Sequence, residues 1–140
     1  MHLVYGADRP VAQYIADKLA IPSAEPGFIS IGLVDDDHNP IGGVIFSKYI
    51  EGEDILMTLA ADVKRHPKIV RVMGTVLEYA FGQLDLPRVS AEISRHNTAC
   101  IRLAEWLGFR MEGPKRASSL MNYGLTRTDW EHRCELHKTA

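Results

Sequence analysis

A run of cations opens the middle of this chain: Lys64, Arg65, His66, Lys68 and Arg71, set around Pro67. Proline suits the first position of a helix, where its missing N–H would have no partner anyway. Cations at a helix N-terminus oppose the helix dipole at a cost of about 0.3–1 kcal/mol each, unless an anion lies among them. The cluster therefore reads either as a solvated basic patch or as a phosphate site, where helix-start N–H groups and basic side chains converge on one anion. Further on stand Asn97 and Cys100. Asn97 is a good N-cap type for a second helix. Cys100 reads as a small buried residue on that helix, and nothing beside it argues for an activated thiolate. The acidic stretch Asp35-Asp36-Asp37-His38-Asn39-Pro40 lacks calcium-loop spacing, so it reads as a solvated hairpin tip and no metal is expected.

The elements that must position these residues follow from periodicity. Ile69, Val72, Met73, Val76, Leu77, Ala80, Phe81 and Leu84 form one helical stripe, opposite Arg71, Thr75, Glu78 and Gln83. Residues 88–94 alternate, with Val89, Ala91 and Ile93 on one side and Ser90, Glu92 and Ser94 on the other, as in a half-buried strand. Asn97 then opens a helix with Ile101, Ala104 and Leu107 as its buried face, Cys100 and Leu103 beside it, and Gly108 as C-cap. Upstream, residues 3–5 suggest a short strand. Asp8 as N-cap and Pro10 just inside predict a helix to about residue 20, with Val11, Tyr14, Ile15, Lys18 and Leu19 on one face. Residues 21–27 are a loop. Residues 28–34, 41–50 and 55–61 read as an antiparallel meander, with Gly42-Gly43 allowing a bulge or a close backbone approach. Residues 109–115 and 119–127 form a closing hairpin around Arg116-Ala117-Ser118. One domain over 1–130 is expected, followed by a polar C-terminal tail, 131–140, either mobile or a short helix.

Sixteen basic and 18 acidic residues leave a net charge of −2, which gives no general case for nucleic-acid binding. No apolar run approaches the roughly 18 residues of a membrane span, and the N-terminus lacks a signal peptide's charged and apolar regions. The two cysteines, in no metal or redox spacing, suggest a reduced, cytoplasmic setting.

The order Arg88-Val89, Asn97-x-x-Cys100-x-x-Leu103-x-x-x-Leu107-Gly108-Phe109 and Glu112-Gly113, with Phe81 in step before it, resembles the GCN5-related N-acetyltransferase (GNAT) family. It is closest to the branch that acetylates protein N-termini, including those of ribosomal proteins; small acetyltransferases of phages and prophages are a looser match. The resemblance covers roughly 28–130 and is clearest over 62–116. It implies an α/β (α+β) GNAT fold: a mixed, mostly antiparallel sheet with helices on both faces and splayed central strands. It also implies acetyl transfer from acetyl-CoA to an amine or peptide acceptor by direct attack in a ternary complex. The pantetheine arm would pair with backbone at Leu59, Ala60 and Ala61. The pyrophosphate would rest on Lys64, Arg65, His66, Lys68, Ile69, Val70 and Arg71. Asn97 would bond the pantetheine, and Cys100, where the branch often has serine, would meet the sulfur and donate a proton. No general base stands out: Glu53, Asp54 and Asp62 flank the third strand, where the family often places a carboxylate, but read more simply as turn or cap residues, and Glu92, on the strand between the helices, is the other candidate. No tyrosine occurs in the second helix; Tyr123 on the last strand is the nearest in sequence and the candidate substitute donor, with a core or surface position as its plainer reading.

The chain departs from the family at the phosphate loop. Of Q/R-x-x-G-x-G/A only the basic first position is kept, as Lys64; Pro67 and Ile69 replace the small residues. Pro67 removes an N–H donor, for which Lys64, Arg65, Lys68 and Arg71 would compensate. Two rivals follow. One is a GNAT-fold protein without turnover, serving as a CoA-binding or structural component. The other is a site for a different phosphate-bearing ligand. The short region after the first helix implies an acceptor site that is open, or completed by a second subunit in a homodimer.

Overall fold

The computed structural model describes residues 1–20, 29–62, 64 and 68–138, with backbone alone at 70 and 136–138. In chain order the elements are β1 (His2–Tyr5), α1 (Asp8–Leu19), β2 (Ile29–Val34), β3 (Pro40–Ile50), β4 (Asp54–Ala61), α2 (Ile69–Glu78), β5 (Arg88–Ser94), α3 (Thr98–Leu107), β6 (Arg110–Pro114), β7 (Leu120–Thr126) and α4 (Arg127–Lys138). The strands make one sheet in the order β1-β2-β3-β4-β5-β7-β6. Every neighbouring pair is antiparallel except β4 and β5, which run parallel. This is the expected mixed sheet with helices on both faces. No helix among the described residues is long and apolar enough to cross a membrane.

The two faces are built differently. Alternation along β4 and β5 sends Ile55, Met57, Leu59, Val89, Ala91 and Ile93 to one face. There they bury against the stripes of α2 (Ile69, Met73, Val76, Leu77) and α3 (Leu103, Ala104, Leu107). Full burial of such a side chain is worth about 1.5–3 kcal/mol, so this face holds the domain together. On the other face α1 lays Val11, Ala12 and Ile15 over Ile45 and Ala60. Glycine makes the approach possible. A Cβ at Gly32 would stand 2.9 Å from Val11 Cγ2, and one at Gly43 3.0 Å from Val11 Cγ1. The close approach expected of Gly42-Gly43 is thus real at Gly43, and the α1 C-terminus is fixed over the edge of β4. The bulges of β3 fall elsewhere, opposite Leu33/Val34 and between Ser47 and Ile50.

Several expectations change in detail. Asp8 is the first helical residue rather than the cap; Ala7 holds the cap position without a side-chain bond, and the helix stops at Leu19, where Ala20 turns left-handed at φ 56°. The stripe from Ile69 to Leu84 is regular only to Glu78. It then widens into a π-helical turn, Tyr79–Gln83, whose Phe81 carbonyl accepts from Arg127 Nη2 at 2.6 Å. Of the two readings of the polar C-terminal segment, the helix holds: α4 runs to Lys138. It is anchored because Trp130 stacks on Phe81 at 5.1 Å and Arg133 lies 5.1 Å over the Trp106 ring. The acidic hairpin tip closes on itself, with Asp35 Oδ1 accepting from the N–H groups of Asp37 and Asn39. The expected loop 21–27, the start of the following strand at residue 28 and Pro67 lie outside the described residues.

Candidate active site

A sheet that changes from antiparallel to parallel at one seam opens there. β4 and β5 share a single register pair, Leu56 with Ser90. Beyond it β4 stays with β3 as far as Ala61 opposite Gly42, and β5 stays with β7 as far as Ser94 opposite Leu120. The facing edges of β4 and β5 therefore lack ladder partners over Thr58–Ala61 and Glu92–Ser94, and backbone donors and acceptors in that state take up any ligand that offers amides. A cleft of about 440 Å³ fills the gap. Met57, Thr58 and Leu59 form one wall, Ala91 to Ser94 the other, His96, Asn97 and Cys100 the helix-start end, and Lys18 and Leu19 a lip from α1. A hollow of about 100 Å³ continues from it along Ala60, Ala61, Ala99 and Leu103.

Asn97 caps α3 as expected, its Oδ1 accepting from the Cys100 N–H at 3.1 Å. The bond turns the first residues of α3 toward β4, and Cys100 Sγ comes 4.0 Å from the Leu59 carbonyl oxygen. Burial pushes the thiol up to about 11, so it stays protonated at neutral pH. Glu92 stands on the opposite wall, half-buried, its Oε2 accepting from Lys115 Nζ at 3.1 Å. Tyr123 is buried on β7 opposite Ala91 and borders a second hollow rather than the cleft. Its phenol is raised by burial first and by the negative ends of Glu105 and Cys100 second.

That second hollow, about 390 Å³, lies on the same face of the sheet as α1, past the helix, where Leu56, Ser90 and Glu92 point. Arg88 organises it. Nη1 and Nη2 grip both oxygens of Glu112 (2.7 and 2.5 Å), Nε donates to Ser90 Oγ at 3.1 Å, and the Ser90 hydroxyl donates to Asp54 Oδ2 at 2.6 Å. Asp54, Ser90, Arg88 and Glu112 thus bridge β4, β5 and β6 across β7. They can do so because position 124 is glycine: a Cβ there would meet Glu112 Oε2 at 2.5 Å and Arg88 Nη1 at 2.6 Å. The bridging hydrogen bond holds Glu112 well below the usual carboxylate range. Asp54 is accordingly a structural carboxylate, and Asp62 sits 3.9 Å from Lys18 at the lip. Glu53 is a turn residue whose N–H donates to Ile50 O.

Of the residues named from the sequence, Leu59, Glu92, Asn97 and Cys100 meet on the cleft, with Ala60 and Ala61 on its continuation. Lys64, Lys68 and Arg71 are exposed where α2 begins; Ile69 turns its side chain into the core and offers only backbone. Arg65, His66 and the Val70 side chain lie outside the described residues. Among the lining residues that the sequence did not mark for the site are His96, Lys18 and Leu19. His96, in the turn before a cap residue, carries no local signal, and the α1 pair reaches the cleft only through the Gly43 contact. Among the described residues no group of three or more His, Cys, Asp or Glu side chains could hold a metal ion. An extended amide-bearing thioester fits what is present: two unpaired strand edges, a neutral thiol midway and exposed ammonium groups beyond.

A family model described as an acetyltransferase (GNAT) domain matches residues 6–110. No curated protein matches the sequence at a significant level. Among solved structures, N-acetyltransferase PseH of Campylobacter jejuni in complex with acetyl coenzyme A is 16% identical, with a TM-score of 0.59 over 71% of this chain and 67% of that one. The ribosomal-protein-S5-alanine acetyltransferase of Vibrio fischeri is 20% identical, with a TM-score of 0.61 over 73% and 63%. Mutant forms of the spermidine/spermine N-acetyltransferase SpeG of Vibrio cholerae are 15% identical, with a TM-score of 0.67 over 94% and 98%. The chain thus spans about two thirds of the length of the first two and nearly all of the third.

Proposed function

The chain belongs to the GNAT family of acetyl-CoA-dependent acetyltransferases, and we propose that it acetylates a primary amine, such as a protein N-terminus, by direct attack in a ternary complex. The observation that carries this reading is the single-rung seam between β4 and β5. It leaves a cleft whose walls hold Glu92 on one side and Cys100 on the other. Acetyl-CoA supplies the activated acetyl group, and the residues of this chain do the rest. The free edge at Leu59, Ala60 and Ala61 and the amide of Asn97 bind and align the pantetheine. Lys64, Lys68 and Arg71, with Arg65, His66 and the backbone of Ile69 and Val70, take the pyrophosphate, their charge standing in for the glycines of a usual phosphate loop. Glu92 accepts a proton from the incoming ammonium. Cys100 offers a neutral S–H to the leaving sulfur, while Tyr123 borders the second hollow and is left out of the transfer. A homodimer and a cytoplasmic setting, in keeping with two cysteines that form no disulfide, belong to the same proposal.

The test is titration calorimetry of acetyl-CoA into the protein beside a Lys64→Ala/Lys68→Ala variant, followed by thiol release with peptide and polyamine acceptors. Micromolar binding that the variant loses is expected, as is a roughly 10²–10⁴-fold fall in kcat for Glu92→Gln. Absence of heat and of thermal stabilisation at millimolar acetyl-CoA refutes the enzyme. The alternative of a repurposed scaffold, which the glycine-poor phosphate loop favours, then stands.

A further inference from the structure

Lys115 follows β6 on the turn of the closing hairpin, and its backbone N–H donates to Leu120 O. In sheet order β6 is two strands from β5. Strands lie about 4.8 Å apart, so the Lys115 side chain must cross roughly 10 Å, over β7, to reach β5. It does so, and ends with Nζ 3.1 Å from Glu92 Oε2. A lysine on an outer strand has water on its other side, and an exposed ion pair is worth only about 0–1 kcal/mol. The pair has a consequence for the cleft. Glu92 lines it, and a carboxylate that serves as base must have the acceptor nitrogen at hydrogen-bond distance. Lys115 Nζ already stands at that distance from Glu92 Oε2.

Building on the acetyl-transfer reading above, we propose that Lys115 is a self-acetylation site, the first acceptor that a chain loaded with acetyl-CoA modifies. Glu92 takes one proton from the Lys115 ammonium and passes it to solvent. The freed lone pair forms the N–C bond to the acetyl carbonyl carbon, the thioester C–S bond breaks, and the departing thiolate keeps the electron pair. The second proton of the nitrogen ends on that sulfur. The products are an N-acetylated Lys115, free CoA and one proton released. Acetylation removes the positive charge paired with Glu92, and the amine position beside the carboxylate is vacated for an external acceptor.

The experiment incubates the full chain with acetyl-CoA and follows each lysine by peptide mass mapping. Lys48 and Lys138, given no part in holding acetyl-CoA, serve as internal controls. Lys115 is expected to lead them by roughly tenfold or more, as proximity to the reacting group demands. Its half-time is expected to stay constant when the protein is diluted, the mark of reaction within one chain. Glu92→Gln is expected to slow Lys115 by about 10²-fold and leave the others unchanged. Modification of Lys115 at the pace of the other lysines, or at an unchanged pace in Glu92→Gln, reduces the contact to a surface ion pair and overturns the proposal. Lys115→Arg keeps the charge and cannot be acetylated at that position. If that variant turns over an added peptide while native Lys115 stays unmodified, the self-acetylation inference fails alone. If the native chain does not bind acetyl-CoA, both readings fall.

Discussion

Cys100 shows how a single residue changes meaning once its surroundings are known. On the sequence it is a small apolar residue at a position where related chains carry serine. In place, its N–H belongs to Asn97 and its thiol faces the Leu59 carbonyl. Burial moves the thiol from an ordinary 9.0 to about 11, which lowers the thiolate fraction at pH 8 by about a hundredfold. In a Cys134→Ser background, alkylation by iodoacetamide at pH 8 should be slower than for a free thiol by about that factor, and should accelerate on unfolding. A rate equal to that of a model thiol would place Cys100 in solvent and remove it from the cleft. The same shift limits its chemistry: a proton held at about 11 is given up reluctantly, so Cys100 serves the leaving sulfur as a hydrogen-bond donor more readily than as a source of a free proton. Serine can make that bond as well. Cys100→Ser should therefore retain most activity and Cys100→Ala should not, with turnover of a peptide acceptor as the readout.

Among the elements, α1 depends most on a contact that local patterning does not reveal. Periodicity located the helix, the three-strand meander, β5 and α3, because each buries one face and so repeats at 3.6 or 2 residues. Periodicity is silent about which helix lies over which strand. Lys18 and Leu19 form the lip of the cleft only because Gly32 and Gly43 let Val11 and Ile15 sink onto β2 and β3. Gly43→Ala should cost about 1–3 kcal/mol of stability through overpacking and should also weaken acetyl-CoA binding as the helix lifts. Gly74→Ala, on α2 with nothing near the added methyl, should instead raise the melting temperature slightly, since alanine favours a helix interior by about 0.5–1 kcal/mol. Thermal melts of the two variants side by side check the pair; equal shifts would refute the packing role of Gly43. The π-helical turn was likewise hidden. The apolar stripe continues through it, and the bond from Arg127 to Phe81 O that accompanies the widening comes from a residue 46 positions away.

At the scale of the whole molecule the seam is the decisive feature, and it was legible only through the family resemblance, which implied splayed central strands. The residues that form it were named, but strand pairing across 34 positions, Leu56 with Ser90, leaves no local trace. The side-chain bridge over it was hidden for the same reason. Asp54, Ser90, Arg88 and Glu112 read singly as turn, strand and motif residues. Their bridge adds an acid-labile contribution to stability. Glu112 has its folded-state pKa depressed by Arg88, so the contribution is complete above the ordinary value of 4.5 and is lost as pH falls through the lower folded value. Melting temperatures measured from pH 6 to pH 3 should fall more for the native chain than for Glu112→Gln, which has already lost the titrating group. Parallel curves would show that the bridge contributes nothing.

Mechanically, the sheet is two plates, β1 to β4 and β5 to β7, joined by one rung, a side-chain clasp and the apolar packing beneath α2 and α3. An extended ligand laid along both free edges becomes a second fastening at the open end. A molecule of this build stiffens when loaded, and its resistance to being pulled apart across the seam depends on what it holds.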